Sequence, residues 1–221
     1  MATAKKENVI VLKEMEIKEA VIRIAGDSPL IMHAWSHKAK QEMLDKQMGL
    51  KKAEKKAAKN PFEDFAESLY WIAGKPEKYD EDTVLAASSD GGSRWGFPAT
   101  AFKQAMCSTA YRSGWEANQM GLRGGLFIVP DAGDLVEIKG CTPNIRQDMV
   151  KIGMGTADIR FRGEFVNWCA DLRIRYDATL YQLDYLVNII NAAGFKCGVG
   201  EWRVEKDGQF GMFHVESVTA E

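Results

Sequence analysis

Hydrophobic and polar positions alternate along residues 19–25, with Ala20, Ile22 and Ile24 on one face and Val21 and Arg23 on the other, so the pattern predicts a half-buried strand. A shorter apolar run at residues 9–12 reads as another strand, and Asp27-Ser28-Pro29 as the end of the longer one. The alternation then gives way to a lysine-rich, alanine-containing stretch over residues 37–59, read as a basic helix interrupted near Gly49 and stopped by Pro61. Glu63, Asp64, Glu67, Glu77, Asp80, Glu81 and Asp82 make the following region acidic, with Phe65, Leu69, Tyr70, Trp71 and Ile72 available for packing. Residues 88–93, SSDGGS, read as a flexible return loop.

Pro98 and Thr100 open a helix in which Phe102, Met106 and Ala110 share a face, Lys103 and Arg112 project elsewhere, and Gly114 provides the stop. Residues 124–139 supply two short strands around the turn Pro130-Asp131-Ala132-Gly133. Farther on, Ile159 and Phe161 alternate with Arg160 and Arg162, and Leu172, Ile174 and Tyr176 with Arg173 and Arg175, so both strands are expected to set arginines on one sheet face or edge. Thr179-x-x-Gln182 reads as a capping box for a helix carrying Leu183, Leu186, Val187 and Ile190, closed by Gly194, and residues 210–218 form a last strand. In order, these elements give an α+β chain on the ferredoxin-like (RNA-recognition-motif-like) β-α-β-β-α-β plan. A large, charged, mainly helical insertion follows the first core strand. The core is expected at residues 1–35 and 93–221, and the insertion at 36–92.

Composition narrows the function without naming it. The chain has 221 residues, 46% of them hydrophobic, enough for a substantial core, and a net charge of −2 gives no global pull toward a polyanion. A nucleic-acid site would therefore have to come from local segregation of charge. Cys107, Cys141, Cys169 and Cys197 are widely spaced, without metal-ligand spacing, and read as buried thiols of a reducing compartment. The first residues lack the apolar core of a signal peptide and no apolar run approaches spanning length, so a cytoplasmic protein without a membrane partner is expected. There is no Walker loop, no nucleophile elbow and no Rossmann fingerprint, so no cofactor is expected; the glycines near the carboxyl end follow a helix and precede a strand, the reverse of what dinucleotide binding requires.

That glycine-rich stretch, residues 194–215, is the most distinctive in the chain. Gly198 and Gly200, then Gly208 and Gly211, free the backbone at two closely spaced points, with Trp202 and Arg203 between them. It reads either as a loop whose amides approach an anion or as a hairpin turning at Lys206-Asp207-Gly208. Three segments together are similar to the RAMP superfamily, the RNA-recognition-motif-like proteins that form backbone subunits and processing nucleases of CRISPR ribonucleoproteins. They are the strand and turn Val21-Ile22-Arg23-Ile24-Ala25-Gly26-Asp27-Ser28-Pro29-Leu30, the helix start Phe97-Pro98-Ala99-Thr100-Ala101-Phe102-Lys103-Gln104-Ala105, and Gly198-x-Gly200-x-x-Arg203 through Gly208 to Gly211-x-Phe213. The helix start departs from the family pattern, with Ala99-Thr100 where Gly-Ser is usual and Gln104 where a glycine follows the lysine. A stand-alone or phage-encoded member would carry the same segments.

The resemblance implies binding of single-stranded nucleic acid, RNA before DNA, by a non-catalytic subunit that stacks on copies of itself in a helical or head-to-tail array. The residues suited to that chemistry are Lys103, Arg112, Arg160, Arg162, Arg173 and Arg175 for phosphates, with Trp202 and Arg203 for base contact. The basic face of the insertion, Lys51, Lys52, Lys55 and Lys56, would reach a neighbour or grip phosphate directly. Bland readings stand beside these: solvated lysines, strand arginines paired with Asp158, Glu164 or Asp171, and a Trp202 packed in the core. Opposed charge blocks could equally build a scaffold that touches no nucleic acid. Some relatives cut RNA, which makes His33, just after the first strand, a candidate general acid–base group for metal-independent endoribonuclease chemistry. The HAWSH spacing would place His33 and His37 on one helical face, a metal-ligand pattern without a third ligand, so no metal is expected.

Overall fold

The expected first strand is the centre of the molecule. In the computed structural model, which describes residues 14–50, 58–152 and 155–220, β1 (Ile17–Gly26) buries Ala20, Ile22 and Ile24 completely. A short strand β2 (Leu30–Met32) follows, then α1 (His37–Gln47), α2 (Pro61–Ser68), β3 (Trp71–Ala73), α3 (Glu81–Ser89) and β4 (Arg94–Pro98). The chain continues through α4 (Ala99–Arg112), α5 (Gln119–Gly125), β5 (Leu126–Val129), β6 (Leu135–Ile138), β7 (Asn144–Ile152), β8 (Thr156–Phe165) and β9 (Cys169–Asp177). It closes with α6 (Leu183–Lys196), a single 3-10 turn (Val204–Lys206) and β10 (Phe213–Ala220). Helices and antiparallel sheets make the chain α+β.

The strands form one four-stranded sheet, in the order β10-β1-β9-β5, and two of three strands each, β2-β8-β7 and β3-β4-β6. Every pair in the four-stranded sheet is antiparallel. One face is covered by α4 and α6, whose Phe102, Met106 and Ala110, and Leu186, Ile189, Ile190 and Ala193, join Ile22, Leu172, Ile174 and Ile128 in a single apolar cluster. Phe102 and Phe213 meet edge to face with centroids 6.1 Å apart. Burial on this face is the main stabilising term, at about 25 cal/mol per Å² of apolar surface removed from water. The opposite face of the sheet carries the alternate residues of each strand, Arg173 and Arg175 among them.

Several elements differ from the sequence expectation, each for a local reason. Pro61 starts a helix: Asn60 caps α2 by accepting the Phe62 and Glu63 amides, and a proline in the first helical turn has no amide to waste. α1 ends at Gln47 and Gly49 adopts φ +71°, where the interruption of the basic helix was expected, and residues 51–57 lie outside the described residues. The return loop expected at residues 88–93 is shorter, because α3 runs to Ser89, and it leads into Arg94–Pro98, which pairs with both β3 and β6. Phe65 and Ala66 of α2, Leu69 just after it and Val84 of α3 lie in the same apolar cluster as the four-stranded sheet. β5 and β6 share a turn but part into different sheets, and the turn is closed by an Ala132–Leu135 bridge and by the Asp131 amide donating to the Leu135 carbonyl. The Thr179-x-x-Gln182 box does not form: Asp177 takes the Thr179 amide and hydroxyl, Gln182 caps α6 without a side-chain bond, and the helix begins at Leu183.

Gly194 is no stop either. α6 runs on to Lys196, and Gly194 lies inside it because a Cβ there would sit 1.8 Å from the Phe213 carbonyl oxygen, so its absence lets α6 lie directly on β10. Of the four cysteines, Cys107, Cys169 and Cys197 are buried and Cys141 partly so, all as free thiols. Burial pushes the Cys141 and Cys197 thiols up to about 11, which keeps them protonated and inert at neutral pH. Among the described residues no helix is long and apolar enough to cross a membrane. The expected strand at residues 9–12 lies outside the described residues.

Candidate nucleic-acid interface

Strand alternation builds the candidate interface. Leu172, Ile174 and Tyr176 of β9 turn inward, so Arg173 and Arg175 stand on the uncovered face of the sheet. Register then decides their neighbours: Arg175 lies between Glu19 of β1 and Phe127 of β5, and Arg173 between Val21 and Val129. Phe127 is 53% exposed, an aromatic ring presented to solvent beside two guanidinium groups. Arg175 meets Glu19 at 2.8 Å, but both side chains are solvent-accessible, and such pairs contribute about 0.2–1 kcal/mol. A phosphate can replace that partner at small cost. Among the described residues no carboxylate lies within ion-pair distance of Arg173.

At the end of the same sheet, a notch of about 330 Å³ is lined by Met15, Ile17, Lys103, Arg123, Phe127 and Arg175, among others. Lys103 reaches it from α4 and Arg123 from α5, where the Arg123 guanidinium donates to the Gln119 carboxamide. Asp177 also lines the notch, with its carboxylate accepting the Thr179 amide and hydroxyl. The result is an aromatic ring with four cations on or beside it, Lys103, Arg123, Arg173 and Arg175. Neither Arg123 nor Phe127 was among the residues expected from sequence. The signal was present in Arg123-Gly124-Gly125-Leu126-Phe127, where Phe127 occupies the polar position of a strand whose Leu126 and Ile128 are buried.

The other expected phosphate ligands are turned to internal work. Arg160 and Arg162 do not share a face with Arg173 and Arg175, because β8 belongs to a different sheet from β9. The β8 alternation also fails at two positions: Arg162 is buried and Ile159 exposed, since α2 lies against this strand and Asp148 and Glu201 meet the guanidinium at 2.9 and 3.8 Å. Arg160 sits 3.5 Å from Asp158, which also holds Lys59 at 3.1 Å. Arg112 and Arg203 converge on Glu205 at 2.8 and 3.0 Å, and Ser108 donates to the same carboxylate. Burial of Glu205 opposes its ionisation, yet the hydrogen bonds from Arg203 and Ser108 outweigh it and hold the carboxyl below its ordinary range. Glu205 is thus the hub that fixes the start of the 3-10 turn to α4.

The glycine-rich stretch is a compact loop and not an anion cradle. The amides of Gly198, Gly208 and Gly211 are spent on the carbonyls of Ala193, Arg203 and Pro29. Gly211 has φ +66° and a Cβ there would meet the Val199 oxygen at 1.7 Å, while Gly200, at φ +84°, lies against the Ile31 carbonyl. No hairpin forms at Lys206-Asp207-Gly208; the 3-10 turn ends on Asp207 in the left-handed region. Trp202 itself adopts φ +54° and is 43% exposed, its ring 6.0 Å from the Arg162 guanidinium carbon, so core packing is not its role.

His33 follows β2 in an irregular segment, its Nδ1 3.4 Å from a Glu201 oxygen. That hydrogen bond holds the Glu201 carboxyl below its usual range. His37 is the first residue of α1, so the two histidines do not share a helical face. Its backbone amide donates to Glu67. Among the described residues no group of three or more His, Cys, Asp or Glu side chains is placed to hold a metal ion. Lys51, Lys52, Lys55 and Lys56 lie outside the described residues. No protein-family model matches the chain, and no curated protein matches it.

Proposed function

We propose that the chain is a ferredoxin-like protein of the RAMP type that binds single-stranded nucleic acid, RNA before DNA, across the uncovered face and end of its four-stranded sheet. The carrying observation is Phe127, exposed and in register with Arg175, beside Arg173 and the Lys103–Arg123 notch. A sheet that offers an aromatic ring for stacking with cations placed for phosphates suits single strands, whose bases are free to stack. The strand order β10-β1-β9-β5, with α4 preceding the edge strand and α6 between the inner and outer ones, supports the ferredoxin-like reading, because it is the fourth-first-third-second order of that plan. Self-association belongs to the same reading and would register as cooperative binding along a long strand.

The test is fluorescence anisotropy with a labelled single-stranded oligomer and the Arg173→Glu/Arg175→Glu double variant. Both side chains are exposed, so the fold is expected to survive. Removing two charge-assisted contacts, at about 1.5–3 kcal/mol each, is expected to weaken binding by well over about tenfold. Unchanged affinity would remove this face from the interface.

A further inference from the structure

A second, separate cavity of about 190 Å³ lies behind the glycine-bearing loop, walled by Tyr70, Phe97, Ala101, Gln104, Val199 and Gly200, with His33 and the carboxylates of Glu201 and Glu205 at its margin. It shares no residue with the notch at the sheet end. A cavity of this size has room for one heterocyclic ring system.

The polar groups around it divide into two sets. The basic groups are already partnered: Arg203 is held by Glu205 at 3.0 Å, and His33 lies 3.4 Å from Glu201. Both carboxylates are held below their ordinary range, Glu201 by its hydrogen bond from His33 and Glu205 by Arg203 and Ser108 against the opposing effect of burial. An anion entering here would meet two negative charges and no unpaired positive one. The neutral groups are the unspent ones, since neither the Tyr70 hydroxyl nor the Gln104 carboxamide has a hydrogen-bond partner among the described residues. Tyr70 is fixed in place edge-on to Phe97, with ring centroids 5.7 Å apart, and burial pushes its hydroxyl pKa up, so it remains a donor. Ala101, Phe97 and Val199 complete the walls with apolar surface.

A small, flat, neutral ligand with donors and acceptors on its edge satisfies all of these groups. We propose that this cavity binds a single nucleobase, adenine above the others, with Gln104 and Tyr70 reading its edge. A carboxamide presents one donor and one acceptor side by side, the complement of the adenine N6 and N7 positions. The site goes beyond the sheet-face interface and stands or falls separately from it.

The test is a titration of isotopically labelled protein with adenosine, guanosine, cytidine and uridine, and with an adenine-containing oligomer, read as amide chemical-shift changes at Tyr70, Gln104 and Val199. Adenosine is expected to shift these amides saturably and at least about tenfold more tightly than the pyrimidine nucleosides, as one good edge-to-edge pair allows. Gln104→Ala, at an exposed helix position, is expected to erase that preference while the melting temperature stays close to that of the wild type. Shifts with the oligomer and not with adenosine would assign the site to a base within a strand, and shifts with both to a free nucleoside as well; each supports the pocket. Absence of saturable shifts from every probe up to about 10 mM, or equal response to all four nucleosides, overturns it. An oligomer that binds without moving these amides overturns the pocket and leaves the sheet-face interface standing. Adenosine shifts without any oligomer binding do the reverse.

Discussion

Phe127→Ala separates binding from folding more cleanly than any other single change. The ring is 53% exposed on the uncovered sheet face, so its contribution to the fold is confined to cross-strand contact with residues such as Arg175, about 0.2–1 kcal/mol. In a chain of this size that shifts the melting temperature by about 2–4 °C at most. As a stacking platform it is worth about 1–3 kcal/mol per base, which is about 5- to 150-fold in affinity. The two readouts are a thermal melt and anisotropy of a labelled single strand at fixed low salt. Phe127→Trp, which keeps a stacking surface, is expected to bind about as well as the wild type. Wild-type affinity in Phe127→Ala would refute the stacking argument, and so would a loss of affinity matched by wholesale unfolding.

Three further outcomes test the account elsewhere. Asp148→Ala is expected to cost about 3–5 kcal/mol, because it leaves the buried Arg162 guanidinium without its nearest carboxylate; the double change Asp148→Leu/Arg162→Met should recover much of that loss in chemical denaturation. Gly211→Ala is expected to destabilise by at least about 1–3 kcal/mol, since the residue has φ +66° and the added Cβ would collide with the Val199 carbonyl, and urea unfolding measures it. Glu67 sets part of the acid response. Burial opposes its ionisation, but hydrogen bonds from Lys75, the His37 amide and Tyr79 prevail and hold its carboxyl at about 2. Its folded pKa is depressed, so its stabilisation is present above the unfolded value of 4.5 and is lost as pH falls toward 2. Melting temperature should therefore drop through that window, and Glu67→Gln should blunt the drop.

Legibility in the sequence followed the physical range of each signal. Strand alternation is local and was readable: Ala20, Ile22 and Ile24, and Leu172, Ile174 and Tyr176, point inward as their spacing indicates, and Phe102, Met106 and Ala110 line one face of α4. Arg162 broke the same rule because packing of α2 against β8 and carboxylates from β7 and the glycine-rich loop decide its burial, and none of these is near it in sequence. Thr179 and Gln182 fit a capping pattern, yet Asp177 competes for the same hydroxyl and amide. For the candidate site, Lys103, Arg173 and Arg175 were accessible from sequence, as polar positions on periodic elements. The neutralisation of Arg112 and Arg203 was not, since it depends on Glu205 reaching two elements at once. Phe127 was legible only as an apolar residue out of phase with its own strand.

Salt dependence of binding tests the central claim most directly. If a single strand lies on Lys103, Arg123, Arg173 and Arg175, the logarithm of the association constant should fall linearly with the logarithm of salt concentration. The slope is expected to be about −2.8, from about 0.7 for each of four neutralised phosphates, and about −2.1 in Arg173→Gln. No binding at low salt, or a slope that Arg173→Gln leaves unchanged, would contradict the account.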